Sequence, residues 1–275
     1  MKSPPLVFLV TGCSTGIGRA TAALAAERGH RVFAGARRLE SLDGLPGNVE
    51  RLSLDVTRRE TIDFAVKEIV SQAGRIDVLV NNAGYGQMGT VEDVPLEKWK
   101  AEYEVNVFGL VAMTQAVLPL MRKQKSGTIV NIGSIAGLIS YPFGGAYCSS
   151  KFAVEAISDA LRLEVERFGI RVVLIEAGPI TTRFNDRVEQ EVDSLVRNAA
   201  SGYHAEYERA FARFRKESTA GALPAGEVAR VVLKAVSKRR PRARYLVTIP
   251  ARLGAIGKRF LPGSLIDSLM RGKFR

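Results

Sequence analysis

Tyr147 and Lys151 stand four residues apart in Tyr147-Cys148-Ser149-Ser150-Lys151. On a helix that spacing puts both side chains on one face. A free tyrosine titrates near ~10, too high for an efficient acid or base at neutral pH, and a neighbouring ammonium favours the phenolate and lowers that value. The pair therefore suits proton transfer to or from a reacting oxygen. Tyr-x3-Lys also arises often by chance, so it does not fix a reaction alone. Rival chemistries are poorly supplied. The two histidines, His30 and His204, have no metal-ligand spacing, and no metal site is expected. The two cysteines, Cys13 and Cys148, are too few for a disulfide framework and read as packed thiols.

A second constellation sits at the other end of the sequence. Thr11-Gly12-Cys13-Ser14-Thr15-Gly16-Ile17-Gly18 follows an apolar run and opens a run of helix formers. Gly12 allows a tight turn, Gly16 lets backbone approach a pyrophosphate, and Gly18 lets helix and strand pack closely. The free N–H groups at the helix start attract phosphate. The spacing is G-x3-G-x-G, not the commoner G-x-G-x-x-G, and a plain structural turn is the rival reading. The next strand ends in Gly35-Ala36-Arg37-Arg38, with no acid for a ribose 2′-hydroxyl. Two guanidiniums instead match the fork geometry of a phosphate, which points to NADP(H) over NAD(H). The rival is two solvated loop arginines. Asp55 closes a third strand, where it serves an adenine amino group, a helix cap, or both.

These residues need a scaffold. Leu6–Val10, Arg31–Ala34, Val49–Leu54, Ile76–Val80, Thr128–Ile132, Arg171–Ile175 and Tyr245–Ile249 read as seven short apolar strands. Helices read over Arg19–Arg28, Thr57–Ala73, Leu96–Met121 and Ala146–Phe168, with Gly29, Gly74 and Gly169 as stops. Alternating strands and helices imply an α/β, doubly wound parallel sheet of about seven strands. Ligands bind such a sheet at the carboxyl ends of its strands, and every cluster named here lies there.

With Asn81-Asn82-Ala83-Gly84 added, several separated motifs stand in one order: Thr11–Gly18, Asp55, Asn81–Gly84, Asn106, Ser134, Tyr147-x3-Lys151 and Gly178-Pro179-x-x-Thr182. Over residues 6–250 the chain resembles the short-chain dehydrogenase/reductases in their single-domain, Rossmann-type form. The resemblance implies hydride transfer between a nicotinamide and a carbonyl or alcohol carbon. It makes Asn106, Ser134, Tyr147 and Lys151 the catalytic set. Tyr147 is then the acid/base, Ser134 orients the substrate oxygen, Lys151 also holds a ribose hydroxyl, and Asn106 holds a water that relays protons from Lys151. For the cofactor it implies Gly12, Ser14, Thr15, Gly16, Ile17 and Gly18 at the phosphates. Arg37 and Arg38 fall at the 2′-phosphate. Asp55, Val56, Asn82, Ala83 and Gly84 fall on the adenosine side. Tyr147, Lys151, Gly178, Pro179, Ile180 and Thr182 fall beside the nicotinamide half. The Gly-Pro order at Gly178-Pro179 is similar to the branch of 17β-hydroxysteroid and retinol dehydrogenases, and suggests a bulky apolar, steroid-, retinoid- or lipid-like substrate. Leu138, Tyr141 and Phe143, with Ser134, would line its pocket, or else merely pack a lid. The rival function is a non-catalytic NADP-binding regulatory protein on the same fold; the intact four-residue set argues against it.

The 275 residues are 46% apolar, enough for a sizeable core. No run of ~18 apolar residues appears, so a spanning helix is not expected. Leu6–Val10 is too short for a signal-peptide core of ~7–15 residues. A cytoplasmic protein is the simplest expectation, and the resemblance implies a homodimer or homotetramer through the helices associated with the fifth and sixth strands. Residues 180–222 form a polar insertion with Tyr203, Tyr207, Phe211 and Phe214, read as a substrate lid or as a helical pair packed on the body. The net charge of +12 lies in residues 228–275, which hold thirteen Lys or Arg and one acid, Asp267, whereas residues 1–227 balance. The neutral body lacks a basic groove for nucleic acid. Residues 251–275, beyond the catalytic domain at 1–250, combine bases with Leu253, Ile256, Phe260, Leu265 and Leu269. This basic amphipathic tail reads as a peripheral contact with anionic membrane, or as a segment folded over its own domain or a partner subunit.

Overall fold

A computed structural model of the chain describes residues 4–184, 186, 188, 189, 201–217 and 222–274. Much of the expected lid, including residues 190–200, 218–221 and the side chain of Phe214, lies outside them. Seven parallel strands form one sheet: β1 Val7–Thr11, β2 Arg31–Ala36, β3 Val49–Ser53, β4 Val78–Asn81, β5 Gly127–Ser134, β6 Ile170–Ala177 and, last in the chain, β9 Arg244–Leu246. Their order is β3-β2-β1-β4-β5-β6-β9. The chain winds outward from β1 to one edge, returns, and winds to the other. The crevice between β1 and β4 is the switch point, held in register from Phe8 opposite Val78 to Val10 opposite Val80. A separate two-stranded sheet pairs β7 (Ile180–Thr181) with β8 (Leu223–Pro224).

Every residue of β1 and β5 is buried, as continuous apolar runs require when helices cover both faces. One face carries α1 (Gly16–Glu27) and the later helix α7 (Ala225–Val236), through Ala22, Ala25, Val228 and Val232. The other carries α2 (Arg59–Ala73), α4 (Gly109–Gln124) and α5 (Gly145–Val165), through Ile62, Met113, Val117 and Leu161.

Three differences from the sequence reading matter. The long helix expected over Leu96–Met121 is α3 (Leu96–Tyr103), one π-helical turn at Glu104–Phe108, and α4. By composition Leu96–Gln124 is long and apolar enough to cross a bilayer, yet Met113, Val117 and Met121 are buried in the sheet core. The last strand is Arg244–Leu246, not Tyr245–Ile249. The Thr248 hydroxyl accepts the Ala251 N–H at 3.2 Å, and Pro250 sits at the start of the helix, so the chain turns helical at Ile249. A boundary at residue 250 therefore cuts through α8 (Ile249–Phe260), which α9 (Gly263–Phe274) follows. The remaining described helix, α6 (His204–Glu217), lies in the insertion.

Candidate active site

The glycine-rich turn leaves β1 at Thr11 and bends with Gly12 at φ +70° and Gly16 at φ +61°, a region that only glycine enters freely. A Cβ on Gly12 would lie 2.8 Å from the Ala83 Cα, and one on Gly18 would lie 2.6 Å from the Gly12 carbonyl oxygen. The turn is tied across the switch point. The Thr11 hydroxyl accepts the Asn82 and Ala83 N–H groups, each at 3.0 Å, and Asn82 Nδ2 donates to the Thr11 and Gly12 carbonyls at 2.9 and 3.1 Å. Asn82 thus shapes the nucleotide turn as well as lining the cleft. Thr11 opens the glycine-rich motif, but its role in tying the turn to Asn82 and Ala83 could not be read from the motif. Helix α1 starts at Gly16 with no side chain capping its N–H groups and no acid in its first turn. Its positive end therefore faces the cleft free for an anion.

One cleft of about 540 Å³ runs from this turn to Tyr147. Ser14, Thr15, Gly16, Ile17, Arg37, Asp55, Val56, Asn82, Ala83 and Gly84 line one end. Gly178, Pro179, Ile180, Ser134, Tyr147 and Lys151 line the other, and Thr182 lies against Gly16 between them. Two cofactor expectations shift. Gly18 lies behind the wall, against Gly12 and Asn82. Arg38 is off the wall, at the start of a short 3₁₀ turn with its carbonyl accepting from Ser41, and Arg37 is the one of the pair that lines the cleft. Asp55 Oδ1 accepts the Thr57 N–H and hydroxyl at 3.0 and 2.8 Å, shaping the turn before α2 while it lines the cleft. This donor set fits a dinucleotide carrying a 2′-phosphate: the Cβ-free turn, the uncapped helix start and Arg37 suit phosphates, and no acid follows Ala36.

At the chemical end, Ser134 is the last residue of β5, and Tyr147 and Lys151 lie on the first turns of α5. Tyr147 is 9% and Lys151 8% exposed. The Ser134 hydroxyl lies close enough to the Tyr147 hydroxyl to favour its ionised form. The Lys151 ammonium donates to the Ile132 carbonyl at 3.0 Å and lies 5.8 Å from the centre of the Tyr147 ring. Burial sets the titrations here. It pushes the Tyr147 phenol well up, against the opposing effect of the Ser134 hydroxyl, and pulls the Lys151 amine down to about 8, against the pull of the Glu102 carboxylate. The lowering of Tyr147 expected from the Lys151 spacing is not what the site shows: desolvation dominates, and the ammonium donates to Ile132. Cys13 and Cys148 are packed thiols, pushed up by burial to about 12 and about 11.

Asn106 does not line the cleft. It sits in the π-helical turn, 2% exposed, behind the wall. Its Oδ1 accepts the Tyr85 N–H at 3.0 Å; its Nδ2 donates to the Tyr85 carbonyl at 2.8 Å and to Glu102 Oε1 and Ser150 Oγ at 3.0 Å each. Its side chain is a clamp on the cleft-lining Tyr85 segment. Glu102, fully buried, and Ser150 were missed; the one sequence signal was Glu102 four residues before Asn106 on the same helix.

Of the expected substrate residues, Ser134 and Tyr141 line the cleft. Leu138 lies off the wall. Phe143, at φ +63°, turns its ring instead into a cluster with Tyr207 and Phe211 of α6, at 5.2 and 6.2 Å. The apolar wall beside Tyr147 comes from Met88, Ile135 and Phe184, whose ring lies 5.5 Å from that of Tyr147. The aromatic stripe of the insertion therefore packs onto the body directly over the chemical end.

A protein-family model for short chain dehydrogenases matches residues 6–193. The chain belongs to the short-chain dehydrogenase/reductase family. As such it is an oxidoreductase acting on C=O and CH–OH groups. The dehydrogenase is 37% identical to a 3-ketodihydrosphingosine reductase of Bacteroides thetaiotaomicron, over 97% of both chains. It is 35% identical to an NADPH-dependent 3-dehydrocapnine reductase of Ornithobacterium rhinotracheale, over 95% of this chain and 94% of the other. Identity to estradiol 17-beta-dehydrogenase 1 of Rattus norvegicus is 35%, over 93% of this chain and 75% of that one. Among solved structures it superposes on a Burkholderia cenocepacia short chain dehydrogenase in complex with NADP, TM-score 0.77, 26% identical, covering 98% and 99% of the two chains. A Burkholderia phymatum relative in complex with NAD matches with TM-score 0.78, 26% identical, over 93% of each.

Proposed function

We propose that the protein is an NADP(H)-dependent oxidoreductase for a carbonyl or alcohol on a bulky, apolar, lipid-like molecule, with Tyr147 as the general acid and base. The observation that carries this is the Tyr147–Ser134 hydroxyl pair, in one cleft with Lys151 and the glycine-rich turn. When bound, the nicotinamide supplies or takes the hydride at the carbon. In the reducing direction the substrate oxygen lies between Ser134 and Tyr147. Ser134 donates a hydrogen bond that fixes it, and Tyr147 gives its proton as charge builds there. The Lys151 ammonium stabilises the phenolate left behind. Alcohol oxidation uses the same groups in reverse.

Arg37, and the absence of an acid after β2, support NADP(H) over NAD(H). The apolar wall of Met88, Ile135 and Phe184 supports a lipid-like substrate, as do the ketones and the steroid named for the three relatives. The homo-oligomer that family resemblance implies has apolar surface available: Phe108 is 54% and Leu163 76% exposed. A non-catalytic role on the same fold requires turnover to be absent from the unaltered protein.

The test is turnover of hydroxysteroids, retinoids and long-chain ketones or aldehydes by three proteins. Tyr147→Phe should abolish turnover while binding NADPH like the unaltered protein, and Arg37→Ala should weaken NADPH far more than NADH. Unchanged turnover in Tyr147→Phe would overturn the acid/base assignment, and equal losses in Arg37→Ala would remove the 2′-phosphate site.

A further inference from the structure

Helix α8 has two faces of opposite character. Its inner face is Ala251, fully buried, and Gly254, where a Cβ would lie 2.6 Å from the Ile135 Cδ1 and 3.3 Å from the Ile139 Cδ1. Such close packing seats the helix firmly on the segment that follows β5. Its outer face carries Ile249, Leu253, Ile256 and Phe260, which are 70%, 64%, 56% and 73% exposed. At 3.6 residues per turn these four fall within an arc of about 60°, centred opposite Ala251. Single exposed apolar residues are ordinary; four large ones on one stripe mark a docking surface. On α9, which follows directly, Leu265 and Leu269 are 46% and 53% exposed.

Charge selects the occupant. Exposed Arg252 and Arg259 flank the stripe on α8, which has no acid, and Arg271 lies on α9, where Asp267 is the one acid. A two-fold contact between copies of this face would set like charges against each other. An anionic bilayer receives both parts: apolar side chains enter the acyl boundary and the bases meet the headgroups. We infer that α8 and α9 form a platform by which the folded protein docks on an anionic lipid surface. Docking also places the cleft. Ile135, under Gly254, lines its chemical end, so the substrate end lies about one helix diameter, roughly 10 Å, from the lipid contact. A lipid-like substrate would enter from the surface in which it partitions; that last step rests on the proposed function, whereas the docking does not.

The experiment is flotation of the full chain with vesicles of phosphatidylcholine alone or mixed with phosphatidylglycerol, without substrate or cofactor. The unaltered protein should float with the anionic vesicles, weakly with the neutral ones, and less as salt rises. Leu253→Glu with Phe260→Glu should reduce that binding about a hundredfold. Arg252→Glu with Arg259→Glu should abolish its salt-dependent part. These positions are exposed, so both variants should keep the native circular dichroism, the same mass by light scattering, and turnover of a water-soluble ketone. Equal flotation by the unaltered protein and both variants, or no preference for anionic vesicles, would overturn the proposal. A fall in molecular mass in the Leu253/Phe260 variant would overturn it in favour of a subunit interface. Tyr147→Phe should float like the unaltered protein, which separates failure of docking from failure of the catalytic assignment.

Discussion

The clamp made by Asn106 gives a sharp prediction. Asn106→Leu keeps a similar volume, so it opens little cavity. It removes the bonds that Asn106 makes to the Tyr85 N–H and carbonyl at 3.0 and 2.8 Å, whereas Glu102 Oε1 keeps the Ser150 hydroxyl at 3.4 Å. Each lost buried hydrogen bond costs about 1–3 kcal/mol, so two together cost about 2–5 kcal/mol after partial relaxation. For a chain of this size about 2–4 °C accompanies each kcal/mol, giving a melting temperature lower by roughly 5–15 °C. Asn106→Asp tests the same site differently. It keeps an acceptor for the Tyr85 N–H but sets a second carboxylate against Glu102 Oε1. Two carboxylates so placed cannot both ionise, and one keeps its proton above its unfolded-state pKa of about 4. The native state then binds more protons than the unfolded state above that pH, and stability falls as pH rises through the window. Urea unfolding at pH 5 and pH 8 separates the cases: Asn106→Leu should lose similar stability at both, and Asn106→Asp should lose more at pH 8. An Asn106→Leu protein within about 1 kcal/mol of the unaltered one, below the cost of a single lost bond, would refute the clamp.

Two further outcomes follow from titration. Because burial lowers the Lys151 amine to about 8 while it raises the Tyr147 phenol, kcat/KM for carbonyl reduction should be level near neutrality and fall above about pH 8 as Lys151 loses its charge. A profile flat to pH 9.5 would remove Lys151 from that role. Glu155 is raised to about 7 by burial, with Glu176 adding to the rise and Arg244 opposing it. Its folded-state pKa exceeds the unfolded one, so its contribution to stability is full at low pH and lost as pH rises through 7. Melting temperature should therefore drop between pH 5 and 8, by the equivalent of about 1–3 kcal/mol, and Glu155→Gln should flatten that slope.

The sheet was legible because its strands are buried on both faces, which leaves unbroken runs such as Phe8-Leu9-Val10. The glycine-rich turn was legible because the positive φ of Gly12 and Gly16 restricts those positions to one residue type. What stayed hidden depends on contacts distant in sequence. Asn106 meets Ser150 across 44 positions, and nothing in either local pattern pairs them. The π-helical turn is likewise silent, since Glu104–Phe108 has the composition of an ordinary helix. Phe143 read as pocket lining because it is apolar and lies between Ser134 and Tyr147, yet its backbone conformation turns the ring toward Tyr207. For the last strand, the apolar run Tyr245–Ile249 concealed the capping hydroxyl of Thr248, which starts a helix one residue later.

The aromatic cover links access to acidity. Tyr147 is buried among Met88, Ala136 and Cys148, with Phe184 and Tyr141 packed alongside and the α6 pair Tyr207 and Phe211 completing the cluster. The same burial that excludes water from the reacting oxygen raises the phenol and lowers the amine. In the free protein Tyr147 is therefore loaded with its proton, the form that serves reduction, and it becomes a base only when positive charge or hydrogen-bond donors beside it outweigh desolvation. The Tyr207 hydroxyl anchors the cover, meeting the Thr90 N–H at 2.7 Å and the Thr90 hydroxyl at 3.1 Å. That anchor holds the ring of Tyr207 in the cluster that buries Tyr147, and the same burial keeps its proton in place.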